Sequence, residues 1–308
     1  MWTYVIRRLA SAVPTLFIII AIAFFMIRLA PGGPFDRERV VPPEISANLN
    51  RVYHLDEPLP QQFVRYLRGL ARGDFGPSFK YRDFTVTELI AAGFPVSLKI
   101  GLWAMAVAVL LGVGLGAWAA QNRNSVADHL VMGVAMTGIA VPNFVVAPLL
   151  SLVIGVYLNL LPVGGLGDGG VRHLLLPVIS LALPQVAYIA RLSRGSMIEV
   201  LSADYIRTGR AKGLTERRLV FRHALKNALT PVISYLGPAT AAIVTGSVVI
   251  EQIFGIPGLG RYFVQGALNR DYTLVMGVVV TYGSLIIVLN LAVDLLYGFL
   301  DPRVRSHG

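Results

Sequence analysis

Long stretches without a charged residue constrain this chain more than any other feature. A helix needs about 20 apolar residues to cross the hydrocarbon core of a bilayer. Charge-free stretches of about that length lie at residues 9–27, 100–122, 130–161, 174–190, 232–250 and 272–293. The fourth is the weakest, because it is short and contains Pro177 and Pro184. The pattern predicts an all-α membrane protein with six transmembrane helices.

Composition narrows the class further. Apolar residues make up 55% of the chain and charged residues 14%, whereas soluble domains carry about 25% charge. Cysteine is absent, which excludes structural disulfides, thiol catalysis and cysteine-ligated metals and leaves the redox compartment open. The net charge is +10, an excess that membrane proteins usually carry in cytoplasmic loops facing anionic lipid.

The distribution of Lys and Arg predicts the orientation. Arg7 and Arg8 precede the first span, Arg303 and Arg305 follow the last, and the densest basic cluster lies between the fourth and fifth spans. We expect these three regions, and therefore both termini, to lie in the cytoplasm. The long segment 31–95 is expected outside, since long loops translocate largely regardless of charge.

These expectations divide the chain into four parts. The first span is interpreted as an uncleaved anchor, because its apolar run is long and Ala30 before Pro31 is a poor cleavage context. The parts are a tail with the first helix (1–30), an external loop (31–95), a core (96–300) and a cytoplasmic tail (301–308). Within the core we expect helices at about 96–122, 130–158, 174–192, 230–251 and 272–298 and a cytoplasmic loop at 193–229.

The basic segment from Ser202 to Leu229 is the most informative part of the chain. Apolar residues recur between its arginines, and Gly213 can end a first helix while Thr215 and Glu216 help to cap a second. The pattern predicts two amphipathic helices with a bend. They either lie on anionic headgroups or insert into a groove on a cytoplasmic partner. No signature of a nucleic-acid recognition module accompanies them.

Several short motifs follow one another in a characteristic order. They are PGGP at 31–34, LDEPL at 55–59, PNF at 142–144, DYIRTGRAKGL at 204–214, HALKNALTP at 223–231, EQIFGIPGLG at 251–260 and DPR at 301–303. Over nearly its whole length the sequence resembles ABC-importer permeases of the dipeptide/oligopeptide/nickel class, and most closely the first of their two permease subunits. The general importer loop begins Glu-Ala-Ala, where this chain has Arg207-Thr208-Gly209, which looks like the variant of the peptide class.

The resemblance implies a cytoplasmic coupling helix that docks on an ATPase. The residues that match it are Asp204, Tyr205, Arg207, Thr208, Arg210, Ala211, Gly213 and Leu214. It also implies a homologous second permease, two cytoplasmic ATPase subunits and an external substrate-binding protein, in the inner membrane of a prokaryote. The cargo would be dipeptides or oligopeptides, with glutathione-like tripeptides and nickel chelates left open, moved by alternating access.

The sequence lacks the motifs of an enzyme. None of its four lysines follows a glycine, so there is no phosphate-binding loop ending in Gly-Lys-Ser/Thr. ATP and Mg²⁺ would therefore be used by partner subunits, and this chain is expected to bind no cofactor. Its five histidines are scattered, so no metal site is expected. Gly112 and Gly116 lie within a span and are expected to allow close helix approach.

A few polar or helix-bending residues within the spans are candidates for the path or for structure. Pro142, Asn143 and Phe144 lie in the third span, and prolines there free backbone carbonyls that protein or a wet cavity must satisfy. Asp294 lies in the sixth span four residues after Asn290, where a structural contact is favoured over a proton relay.

Acidic and basic residues also flank the segment between the last two spans. Glu251 and Asp271, with Arg261 and Arg270 between them, are expected to form a structural ion-pair cluster; contact with a binding protein is the alternative. One rival hypothesis for the whole chain is an ion-coupled secondary transporter, which would show an inverted repeat and more buried charge. Another is an intramembrane hydrolase, which would need a nucleophile–base pair within a span.

Overall fold

The computed structural model describes residues 2–29, 50–51, 54–81, 83–167 and 169–300, except for the side chains of residues 2–9, 246 and 294–300. The helices are α1 (Trp2–Leu29), α2 (Leu59–Leu70), α3 (Val86–Gln121), α4 (Val126–Ala140), α5 (Asn143–Leu150), α6 (Val171–Leu201), α7 (Asp204–Ala211), α8 (Glu216–Arg218), α9 (Leu225–Ala228), α10 (Thr230–Gly246), α11 (Val248–Ile253), α12 (Leu259–Leu268) and α13 (Tyr272–Leu300).

Two π-helical turns complete the helical structure: Ser151–Tyr157 continues α5, and Leu219–Ala224 joins α8 to α9. The described residues contain no β-strand, apart from an isolated bridge between Pro77 and Thr85. The predicted all-α class is therefore confirmed.

Five helical runs are long and apolar enough to cross a membrane. They are Ala10–Leu29, Val86–Gln121, Val171–Leu201, Thr230–Ile253 and Tyr272–Val293. A sixth arises if the pair Val126–Ala140 and Asn143–Tyr157, which is bent by 103°, counts as one span. This agrees with the six predicted spans, one of them bent.

The bend lies at Pro142, in the third span. Val141 ends α4 in an extended conformation, as expected of a residue that precedes proline. By contrast, α6 runs as one helix of 31 residues through both Pro177 and Pro184. Much of α6 is buried inside the protein, where neighbouring groups can compensate for the hydrogen bond that a proline removes. The span with the weakest sequence signal is thus continuous.

α3 begins at Val86, ten residues before the start at 96 that the sequence predicts. Its first turn is fixed by a capping box between Thr85 and Glu88. The Glu88 carboxylate accepts from the Thr85 N–H at 2.8 Å, and the Glu88 N–H donates to the Thr85 hydroxyl at 3.2 Å. The spacing Thr-x-x-Glu is a sequence signal for a helix start, and it places the last part of the segment 31–95 in a helix.

The chain forms two compact units. One comprises residues 98–256 and those from 288 onward, and the other residues 2–97 and 257–287. In the first unit α3 and α4 both pack closely on α6. A Cβ atom on Gly112 would lie 2.8 Å from Ile189, and one on Gly116 would lie 2.7 Å from Ser193. The expected role of these two glycines in close helix approach is confirmed.

The second unit has two apolar clusters. In one, Val86, Leu89 and Ile90 of α3 pack against Leu259 of α12 and against α13. In the other, α1 packs on α13 and on the amphipathic helix α2, with Phe24 at its centre. These clusters hold the segment after α1 against membrane-length helices, so the described part of that segment is structured.

Candidate functional site

The basic segment Ser202–Leu229, called the basic loop below, rests on the ends of the spans through an apolar face. Ile206 of α7 is completely buried. It belongs to one cluster with Ala120 at the end of α3, Met197 near the end of α6, and Val220 and Ala224 of the following helical turn. The loop is therefore packed onto membrane-length helices, and a force on α7 reaches them through direct contacts.

Gly213 ends the first helix of the loop, as the sequence predicts. Its φ angle is +78°, a conformation that costs other residues energy. The Gly213 N–H donates to the Arg210 carbonyl at 2.9 Å, and the Leu214 N–H donates to the Gly209 carbonyl at 3.2 Å. These are the two hydrogen bonds of a Schellman motif, and they fix the turn between α7 and α8.

The predicted cap of the second helix is only partly right. Thr215 occupies the N-cap position of α8, but its side chain makes no capping hydrogen bond there. Glu216 instead forms a forked ion pair with Arg210, with Nε–Oε1 and Nη2–Oε2 distances of 2.6 and 3.1 Å. This pair lowers the pKa of the Glu216 carboxyl and ties the end of α7 to the start of α8.

Gly209 has a structural role that the sequence does not reveal. It is buried, and a Cβ atom built on it would lie 2.6 Å from the Leu219 Cδ2 atom and 3.4 Å from the Leu214 Cδ1 atom. Glycine at this position therefore allows α7 to lie directly on the second helical segment. The sequence alone does not show that glycine is required here, because the requirement depends on which side chain packs against Gly209.

The other face of α7 is exposed and polar. Of the predicted docking residues, Asp204, Tyr205, Arg207, Thr208, Arg210, Ala211 and Gly213 are exposed, and Leu214 is half-buried. The Tyr205 hydroxyl accepts a hydrogen bond from Asn227 Nδ2 at 2.9 Å. Phe221, which the sequence reasoning did not single out, is 67% exposed. The exposed side chains of the loop thus include charged groups and two aromatic rings.

An ion pair with a buried carboxylate joins α6 to α4. The Asp128 side chain at the start of α4 is 1% exposed and accepts from Arg194 Nε and Nη2, each at 2.6 Å. It also accepts from the Asn124 N–H at 2.9 Å. Arg194 lies at the start of the basic cluster between the fourth and fifth spans. Because it is paired with Asp128, it contributes little to the exposed basic surface.

The structure describes the side chains of three of the four predicted path candidates. Pro142 is the N-cap residue of α5, Asn143 is half-buried and Phe144 is 59% exposed. Asp294 lies within α13, but its side chain falls outside the described residues. A role for these four residues in a path stays a prediction.

Asp271, in the second unit, is a completely buried carboxylate. It accepts hydrogen bonds from the Ser78 and Thr273 hydroxyls and from the N–H groups of Lys80 and Leu274. We call this group the Asp271 cluster. Hydroxyl and backbone donors were not anticipated there, since the sequence suggested partners among the arginines. Within the described part of the chain, no three His, Asp or Glu side chains are grouped so that they could hold a metal ion.

Known proteins match this chain over nearly its whole length. Residues 112–306 match the family described as binding-protein-dependent transport system inner membrane component, and residues 1–100 match the N-terminal part of such components. The chain is 54% identical over 305 residues to the oligopeptide transport system permease protein OppB of Salmonella typhimurium, covering 99% of this chain and 100% of that protein. It is 43% identical to the dipeptide transport system permease protein DppB of Bacillus subtilis, covering 99% and 98%.

Solved structures with a similar fold include the MetNI methionine ABC transporter in inward-facing conformations. One such chain aligns with a TM-score of 0.59 at 18% identity, covering 69% of this chain and 96% of that chain. At this identity the likeness shows a shared fold.

Proposed function

Because the chain belongs to the family of binding-protein-dependent transport system inner membrane components, we propose that it is the permease subunit of an ATP-driven importer of oligopeptides. Its near-complete match to an oligopeptide permease carries this proposal. Dipeptides are the runner-up cargo, since the identity to the dipeptide permease is lower. Family membership gives no support to the alternative of an ion-coupled transporter working alone.

The partners follow from this assignment. An importer of this kind needs ATPase subunits to bind and hydrolyse ATP with Mg²⁺, and a binding protein to deliver the peptide. The exposed face of α7, with Arg207 and Thr208 at its centre, is the surface proposed to dock on an ATPase. We further propose that a homologous second permease completes the membrane part, so that each permease contacts one of two ATPases.

The proposal includes the orientation of the chain in the membrane. The basic loop carries the densest cluster of Lys and Arg in the chain, which favours a cytoplasmic location. Both termini would then lie in the cytoplasm, and α2 and the start of α3 would lie outside. On that side the described part of the segment 31–95 would face the binding protein.

The packing of the loop suggests how ATP binding is transmitted. Closure of the two ATPases would carry α7 with it. Because Ile206 is buried against Met197 and Ala120, this displacement would be passed to α6 and α3 through side-chain contact. Gly209, the Schellman turn at Gly213 and the Arg210–Glu216 pair keep the two halves of the loop in one arrangement, so that the displacement is not lost in bending.

Uptake by the assembled transporter tests the proposal. The chain would be produced together with the proposed second permease and ATPase subunits and reconstituted into proteoliposomes. ATP-dependent accumulation of labelled tetra-alanine would then be measured with the binding protein present. We expect accumulation only with ATP and with all subunits. Uptake driven by an ion gradient, with ATP and the other subunits absent, would overturn the assignment.

A further inference from the structure

α6 and α10 carry a group of polar and aromatic side chains that no motif of the sequence predicts. The rings of Tyr188 on α6 and Tyr235 on α10 are stacked, with centroids 4.3 Å apart and planes inclined by 24°. The Tyr235 hydroxyl donates to Gln185 Oε1 at 2.7 Å. The Arg191 guanidinium lies 5.2 Å from the centre of the Tyr188 ring. We call these four residues the Tyr188 cluster.

The Tyr188 cluster lies within membrane-length helices and is accessible. Arg191 is exposed, and Gln185, Tyr188 and Tyr235 are half-buried. Many exposed side chains of the spans in the same unit are apolar, as at Leu110 (74% exposed) and Val134 (72%). Acyl chains suit those apolar surfaces but cannot satisfy an amide, a hydroxyl or a guanidinium. The surface of the cluster therefore suits contact with protein or with a water-filled path.

Arg191 has no acidic partner among the described residues. No described carboxylate lies within ion-pair distance of its guanidinium, which contacts the Tyr188 ring. Arg194, about one turn further along α6, shows the contrast, because two of its three guanidinium nitrogens, Nε and Nη2, donate to Asp128. Arg191 thus presents its donors to a group from outside the chain.

We propose that the Tyr188 cluster is a contact site for transported peptide, in which Arg191 binds the C-terminal carboxylate. This rests on the proposed function, which makes peptide the cargo. A guanidinium holds a carboxylate through two parallel hydrogen bonds. The tyrosine faces can pack against peptide groups of any sequence, and Gln185 offers an amide to the peptide backbone. The site recognises features that all peptides share, as a broadly permissive path requires.

A phospholipid phosphate could also pair with Arg191, but it would not account for the whole cluster. Gln185 lies six residues before Arg191 on α6, about 9 Å along the helix axis. The polar groups therefore extend along the span, away from the end at which Arg191 could reach a headgroup. A ligand that runs along the helices, such as an extended peptide, fits this arrangement better than a headgroup held at one level.

The test compares two cargoes that differ only in the charge of one group. Uptake of tetra-alanine and of tetra-alanine amide would be measured in proteoliposomes holding the complete transporter, at saturating binding protein and ATP. For Arg191→Gln we expect uptake of the free peptide to fall about tenfold and uptake of the amide to change less than twofold. Arg191→Lys, which keeps the charge, should recover part of the loss for the free peptide.

A matched control is Arg123→Gln, because Arg123 is an exposed arginine of the same unit and lies outside the cluster. It should leave the ratio of the two uptake rates unchanged. Equal losses for both peptides in Arg191→Gln, or no loss for either, would overturn the inference. Disappearance of the Arg191→Gln defect in vesicles of phosphatidylcholine alone would assign Arg191 to an anionic headgroup instead.

Failure of the inference can be told apart from failure of the proposed function. If the wild-type complex accumulates both peptides with ATP and only the Arg191 result is negative, the importer assignment stands and the site is wrong. If the assembled wild-type complex hydrolyses ATP but accumulates neither peptide, both the peptide assignment and the site are contradicted.

Discussion

The basic loop and the Asp271 cluster deal with charge in opposite ways. In the loop, Ile206 and its neighbours are buried, while Arg207 and other charged groups face outward. In the Asp271 cluster the carboxylate is completely buried, and two hydroxyls and two N–H groups satisfy it. A buried charge that its own chain satisfies holds the fold together. Exposed charges remain accessible to a partner even where they pair with each other, as Arg207 does with Asp204 and Arg210 with Glu216. Substitutions should therefore affect stability in one region and transport in the other.

Removing the buried carboxylate should have the largest effect. Asp271→Ala leaves the Ser78 hydroxyl and the Leu274 N–H without their acceptor, which should cost about 3 kcal/mol. The Thr273 hydroxyl keeps the Pro77 carbonyl as an acceptor, and the Lys80 N–H keeps the Ser78 hydroxyl. The melting temperature of the purified chain in detergent and its level in the membrane should both fall. In Asp271→Asn, which keeps one acceptor oxygen, the melting temperature and the membrane level should fall less. An unchanged melting temperature for Asp271→Ala would refute the structural role of the cluster.

Overpacking the basic loop should have the second-largest effect. Gly209→Val introduces atoms where Leu219 already lies, at a cost of about 1–3 kcal/mol, and should reduce peptide uptake several-fold by displacing α7. Gly195→Val is the control, because a Cβ atom on Gly195 meets no atom within 4 Å. Leu219→Ala in the Gly209→Val background should restore part of the uptake. Equal uptake by the Gly195 and Gly209 variants would remove the proposed role of this contact.

The turn at Gly213 should show a smaller, purely conformational effect. A Cβ atom there meets nothing within 4 Å, but φ is +78°, so Gly213→Ala should cost about 1 kcal/mol. Hydrogen exchange at the amides of Gly213 and Leu214 should accelerate about fivefold, and less in Gly213→Asn. Exchange at the wild-type rate in Gly213→Ala would show that the Schellman turn is not needed to order the loop.

The exposed Arg210–Glu216 pair should have the smallest effect. The two side chains are 44% and 61% exposed, so Glu216→Gln should cost at most about 0.5 kcal/mol. Because Arg210 lowers the pKa of Glu216, the pair stabilises the loop above the unfolded carboxyl pKa of about 4.3 and loses this effect as pH falls through the lower folded value.

Hydrogen exchange of the loop measures this contribution. Wild type and Glu216→Gln should differ slightly at pH 7 and converge in acid, after correction for the intrinsic pH dependence of exchange. A difference that grows in acid would contradict the sign of the predicted pKa change.

Sequence patterns predict the parts of this fold that repeat along the chain. The apolar stretches indicate the spans, and the alternation of Ile206 and its neighbours with arginines indicates two amphipathic helices. Gly213 was predictable because a glycine after a helix has a common structural use. The capping box at Thr85 and Glu88 carries a signal of the same local kind, and it marks the true start of α3 better than the apolar stretch does.

Contacts between distant residues were beyond such reasoning. The pairing of Arg194 with Asp128, the donors around Asp271 and the stack of Tyr188 on Tyr235 each join residues far apart in sequence. No spacing rule connects them, because tertiary packing alone brings them together. Gly209 is the simplest example, because a side chain at this position is excluded only by the position of Leu219.

Cross-linking from the exposed face of α7 tests the central claim, that this face docks on an ATPase. Because the chain has no cysteine, Thr208→Cys and, as control, Lys80→Cys each provide one site for a photoreactive maleimide. In the assembled transporter we expect Thr208→Cys to cross-link to an ATPase subunit and Lys80→Cys not to. Labelled Thr208→Cys that forms no such product in a complex that still transports peptide would contradict the account.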